Sequence, residues 1–153
     1  MNTLGEKFMP SWNEVLDEIN DCKRVDALDY VRRSYIKKLH EITDRNVIAY
    51  YSGWLQKPGL SNTSINDDDK NAFMATVHGL DRTKGIDLIL HTPGGDIAAT
   101  ESLVYYLRAM FGTDIRVIVP QLAMSAGTMI ACASKAIIMG KESNLGPIDP
   151  QFR

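Results

Sequence analysis

From Gly85 onward the chain alternates short apolar runs with helical ones, and this alternation constrains its fold more than any other feature. "IDLILH" and "IRVIVP" are compact apolar runs of the kind that form buried strands, and "AIIMG" reads as a third strand. Between them lie "IAATESLVYYLRAMF", whose helical period puts Ile97, Val104, Leu107 and Phe111 on the inner side, and the shorter helical stretch "SAGTMIACAS". Strands joined through helices imply a parallel sheet with right-handed crossovers, so the fold class is α/β.

The preceding residues extend this plan. "PSWNEVLDEIN" offers Ser11 as N-cap with Glu14 three residues on, and Trp12, Val15, Leu16 and Ile19 share one helical face. "VDALDYVRRSYIKKLHEIT" keeps the same period through Val25, Leu28, Val31, Tyr35, Leu39 and Ile42, its charges forming a solvated face. "NVIAYYSGWL" then turns to β-branched and aromatic residues, predicting a first core strand over Val47 to Ser52. A polar connection with Pro58 and Gly59 leads to Asp67, Asp68 and Asp69, which lack calcium-loop spacing and suit a helix start. The helix that follows is expected over Lys70 to Leu80, burying Phe73, Val77 and Leu80. The organisation is therefore an N-terminal helical segment, residues 1–45, and an α/β domain, residues 46–153.

Several functions are argued against. With formal charge −2 and no long basic run, the chain lacks the clustered Lys and Arg of a nucleic-acid or anionic-membrane binder. Cys22 and Cys132 lie far apart, and His40, His78 and His91 share no ligand spacing, so no metal or other cofactor is expected. No apolar run reaches membrane-spanning length and no secretory signal opens the chain, so a reducing, cytoplasmic setting is the expectation.

In a parallel α/β sheet, ligands gather at the carboxyl ends of strands. Two turns should sit there, "HTPGGD" and "QLAMSAG". Each opens a helix and presents free backbone N–H groups with a positive helix end, a setting for an anion or a developing oxyanion. Gly94 and Gly95 permit close backbone approach, although Pro-Gly-Gly is also ordinary turn chemistry. Ser125 has two readings. It is either an N-capping serine, or a nucleophile given clearance by Ala123, Ala126 and Gly127 at a strand-to-helix elbow. The second gains from the pairing of turns, because acyl transfer needs a nucleophile together with N–H donors, here Gly95 and Ala126.

"LILHTPGGDIAATESLVYYLR" and "VIVPQLAMSAGTMIACASKAIIMGKESNLGPIDPQ", with their spacing, resemble the Clp-type serine peptidase superfamily over about Val47 to Gln151. Within it they are most similar to the serine dehydrogenase proteinase family, related to signal peptide peptidase A. The resemblance implies a crotonase- and Clp-peptidase-like fold of repeated ββα units, homo-oligomeric assembly, and an extended polypeptide substrate lying beside the segment after "PGG". It places Ser125 on the nucleophile and Gly95 and Ala126 on the oxyanion hole. Gly94, His91 and Asp149 are accessory candidates.

The resemblance is incomplete at the base. Clp peptidases carry a histidine about 25 residues after the serine, whereas the stretch here is "SNLGPIDP". Lys135 and Lys141 flank the "AIIMG" strand and are expected to face solvent. The expectation is therefore an N-terminal portion of a longer serine peptidase, with a Lys or His base outside this chain. Two alternatives stand beside it: a catalytically inactive pseudo-peptidase serving as peptide-binding or oligomeric scaffold, and an acyl-CoA enzyme of crotonase type.

Overall fold

The computed structural model describes residues 10–148 and divides into two compact units, residues 1–39 and 40–153. In the first unit, helix α1 (Trp12–Asp21) begins at Ser11 with the expected capping box. The Ser11 hydroxyl accepts from Glu14 N at 3.3 Å, and Glu14 accepts from Ser11 N at 2.6 Å. Helix α2 (Ala27–Thr43) starts two residues after Val25 and runs past the unit boundary. The residues sharing the expected period differ in burial: Val31 is enclosed, whereas Leu28, Ile42 and Val25, which precedes the helix, are exposed. Periodicity shows which residues share a face, not whether that face is covered.

The second unit is built on four parallel strands in the order β1 (Asn46–Tyr51), β2 (Ile86–His91), β3 (Ile115–Val119), β5 (Ala136–Met139). Strand β1 starts one residue earlier than expected, because Asn46 pairs with Ile86 and its side-chain amide donates to the Asp81 and Gly85 carbonyls. Register aligns Ile48, Leu88 and Val117, a row that forms the core with Leu90 and Val119 on the same face. Phe73 and Val77 of α3 (Asp67–Val77) and Leu103, Leu107 and Phe111 of α4 (Ile97–Phe111) belong to that core. Helix α3 starts three residues before its expected position, because Asn66 caps it and Asp69 closes the capping box. The three aspartates thus fill its first turn.

Two inner-face expectations for α4 are corrected. Ile97 is 48% exposed and Val104 is only partly buried, while Ala99, Thr100 and Leu103 turn inward. The Asp96 cap sets this rotation: its carboxylate accepts from Ala99 N at 2.7 Å, and its carbonyl accepts from the Thr100 hydroxyl at 2.6 Å.

The chain repeats a ββα step. After β3 comes a short strand, β4 (Leu122–Ala123), and then α5 (Ala126–Cys132); after β5 comes another short strand, β6 (Asn144–Leu145). Strands β4 and β6 pair in parallel, and Thr92, following β2, bridges to Ala123. A second, smaller sheet therefore grows from the carboxyl ends of the first. At the amino ends sits a buried ionic cluster that periodicity did not reveal. Asp87, fully enclosed, accepts from Arg45 at 2.6 Å and Arg116 at 2.8 Å, and Arg45 also donates to Asp114 at 3.0 Å. The two guanidinium groups hold the Asp87 carboxyl below its ordinary range despite burial.

Candidate active site

The carboxyl ends of β2 and β3 carry the two predicted turns, and the small sheet draws them together. Thr92 N donates to Leu122 O and Met124 N to Thr92 O, both at 3.1 Å, clamping the chain just before Ser125. Ser125 then takes φ 51° and ψ −113°, a conformation that non-glycine residues rarely adopt. It holds the N-cap position of α5, yet its side chain makes no capping bond. The capping role weighed from sequence is therefore absent. What remains is a serine on a strained strand-to-helix elbow.

The glycines earn separate explanations. Gly94 has φ +102°, and a Cβ there would lie 2.7 Å from Met124 O and 2.8 Å from Ser125 Cβ. The "PGG" turn is thus packed directly on the elbow. At Gly95 a Cβ would collide with the backbone of Ile65, which bridges to it: Ile65 N donates to Gly94 O at 2.8 Å, and Asp96 N to Ile65 O at 2.9 Å. Among the described residues, the Gly95 and Ala126 N–H groups have no acceptor. A polar hollow of about 630 Å3, lined by Asn62 to Asn66, Gly95 and Asp96, opens beside this turn.

Sequence reasoning passed over four contributors. Ile65, 1% exposed, is a lone apolar residue within "NTSIND", which was the available signal for a buried bridge. Thr92 supplies the clamp, and its methyl leaves no room for a side chain at Gly127. Thr128 Oγ lies 2.8 Å from both the Ala123 and Gly146 carbonyls. Gly146 in turn packs on Met124, so "NLGPI" runs alongside the elbow.

The titratable candidates fare differently. His91 is buried at the end of β2 and makes no hydrogen bond to Ser125; its Nδ1 accepts from Leu122 N at 3.4 Å. Burial lowers its pKa, which favours the neutral ring. Lys135 lies at the amino end of β5, where its backbone bonds to Ile115 O and its ammonium stands 3.9 Å from Asp114. That is the end of the sheet away from the elbow. Lys141 is exposed, and Asp149 lies outside the described residues. Among the described residues no side chain hydrogen-bonds Ser125 Oγ, no group of His, Cys, Asp or Glu could hold a metal ion, and no helix is long and apolar enough to cross a membrane.

The family model described as ClpP-like SDH-type serine proteinase matches residues 21–153. The chain belongs to this family. The chain also matches two uncharacterised proteins of Methanocaldococcus jannaschii over 88 residues, MJ0137 at 42% identity and MJ1495 at 38%. Each match covers 58% of the chain and 30% of the relative, so the chain spans under a third of those proteins. The ClpP protease catalytic domain from Plasmodium falciparum has a similar fold, with TM-score 0.50, 15% identity, and coverage of 77% of this chain and 63% of that one. The ClpP1 N165D mutant from Listeria monocytogenes gives TM-score 0.42 at 15% identity, over 63% of this chain and 51% of that one. The expected family and its α/β, Clp-like fold are thereby established.

Proposed function

We propose that the protein is a serine endopeptidase in which Ser125 attacks the scissile carbonyl. The Gly95 and Ala126 N–H groups bind the resulting oxyanion. The observation that carries this reading is the strained, uncapped Ser125 packed against Gly94, with two unengaged N–H groups on the adjoining turns. A serine that merely caps a helix gains nothing from strain, whereas a nucleophile gains exposure of Oγ toward the substrate. Donors already oriented for the oxyanion cost no reorganisation during reaction, and each is worth on the order of 3 kcal/mol in comparable sites.

The substrate is a polypeptide in extended conformation, lying along the segment after "PGG" by strand addition, next to the polar hollow. The proton acceptor is a Lys or His outside the described residues, supplied by further chain or by a second subunit of a cytoplasmic homo-oligomer. A serine hydroxyl without such a base is a weak nucleophile.

Labelling by a fluorophosphonate probe tests the assignment. The full-length protein takes one label, and Ser125→Ala abolishes it; a label retained by Ser125→Ala removes Ser125 from the role. A second reading rests on the absence of any hydrogen-bond partner for Ser125 Oγ among the described residues. It makes the protein a pseudo-peptidase that binds extended peptides or scaffolds an oligomer. Peptide binding without hydrolysis by the full-length protein would favour it.

A further inference from the structure

The least explained group near the elbow is the imidazole of His91. It is 1% exposed and stacks on Tyr51 and Trp54, with ring centroids 4.7 and 4.5 Å away. Its Nδ1 accepts from Leu122 N, so in the neutral ring the proton resides on Nε2. That Nε2 is buried and has no hydrogen-bond partner among the described residues. An apolar residue of similar volume would fill the space without leaving a donor unpaired. The imidazole is therefore accounted for by what Nδ1 does.

Nδ1 meets the backbone at a point where the sheet offers no carbonyl. Strand β3 ends at Val119, Pro120 and Gln121 intervene, and Leu122 N then points at the His91 ring rather than at a neighbouring strand. The bond is part-buried, and a backbone N–H drawn out of water requires an acceptor. Leu122 O and Met124 N are already held by Thr92, and Gln121 O and Ala123 O accept from Asn144 N and Gly146 N. The bond to His91 completes this set and leads, three residues on, to the strained Ser125. A strained conformation persists only where its surroundings over-determine it.

We propose that His91 is a positioning residue: through Nδ1 it fixes the Leu122–Met124 segment and so holds Ser125 and the Ala126 N–H in their reactive arrangement. The inference rests on the reading of Ser125 as nucleophile.

Two variants of the full-length protein separate the roles of the ring. His91→Leu fills the space without an acceptor; His91→Asn places an amide oxygen near the position of Nδ1. Saturation kinetics with a fluorophosphonate probe resolve probe affinity from the rate of bond formation at Ser125. In His91→Leu the bond-forming rate falls tenfold to about a hundredfold, the scale of a misplaced reacting group, with probe affinity unchanged. His91→Asn recovers most of that rate. Equal rates in wild type and His91→Leu, or equal loss in both variants, overturn the proposal, as does a wild-type imidazole found by 15N NMR to carry its proton on Nδ1. A readout independent of activity is the amide resonances of Ser125 and Ala126, which shift in His91→Leu and return in His91→Asn. Unshifted amides also refute it. Failure of the nucleophile reading looks different: wild type takes no label, or Ser125→Ala keeps it, while the amides still move.

Discussion

Replacing Ser125 by glycine should stabilise the protein, and the comparison with Ser125→Ala isolates the reason. Ser125 holds φ 51° and ψ −113°, and its side chain makes no capping bond that either substitution would lose. A non-glycine residue held in so sparsely populated a region carries about 1–3 kcal/mol of strain. Alanine keeps that strain because it keeps Cβ, so Ser125→Ala should leave stability nearly unchanged. Glycine releases it, but adds unfolded-state freedom worth about 0.4–1 kcal/mol. The balance favours Ser125→Gly over Ser125→Ala by about 1 kcal/mol, or roughly 2–4 °C in Tm for a chain of this size. Urea and thermal denaturation followed by circular dichroism measure the difference. Asp44 and Asn62 also have positive φ, but Asp and Asn tolerate the left-handed region well, so Ser125 is the position where relief should be largest. A Ser125→Gly protein no more stable than Ser125→Ala would show that the elbow stores no strain, and the argument from backbone geometry to function would lose its footing.

The ionic cluster makes a separate set of predictions. Asp87→Ala leaves Arg116 without its carboxylate partner and Arg45 with Asp114 alone, and should cost about 3 kcal/mol in denaturant unfolding. Because the Asp87 carboxyl is held below its unfolded value, its contribution is fully present above about pH 4 and is lost as pH falls through the lower folded value. Acid unfolding of wild type should therefore steepen below that pH, and Asp87→Ala should flatten the dependence. Gly94→Ala would force a Cβ against Met124 O and Ser125 Cβ at a φ of +102°, so it should abolish fluorophosphonate labelling even where circular dichroism shows a folded protein. Asn66→Ala removes the cap of α3 and should cost about 1 kcal/mol in the same denaturation assay.

What the sequence made legible follows from the range of each signal. Strands β2, β3 and β5 and helices α4 and α5 were readable because their patterns are local, short apolar runs and then a helical period, even though β5, at the edge of the sheet, is exposed along its length. Boundaries moved where a side chain outside the pattern took over, as Asn46 did at β1 and Asn66 at α3. Ile97 was misassigned because the periodic face of α4 is wider than its buried face, and only the Asp96 cap fixes the rotation. The Arg45–Asp87–Arg116 cluster was invisible for another reason: Asp87 lies 42 residues from Arg45 and 29 from Arg116, and the three meet only through strand register.

The candidate site shows the same division. Ser125 and the glycines could be singled out from small-residue composition at two strand ends, but their contact depends on the minor sheet, whose strands are two residues long. Thr92, Leu122–Ala123 and Asn144–Leu145 lie side by side because β2, β3 and β5 are adjacent in one parallel sheet and each overruns it in the same direction. That overrun brings Gly146 against Met124, beside the elbow. It also decides among the lysines of this chain. Lys135 precedes β5 and stands at the Asp114 end of the sheet, the length of the strand away from the turn that carries Ser125. A base drawn from Lys135 would need the strand reversed.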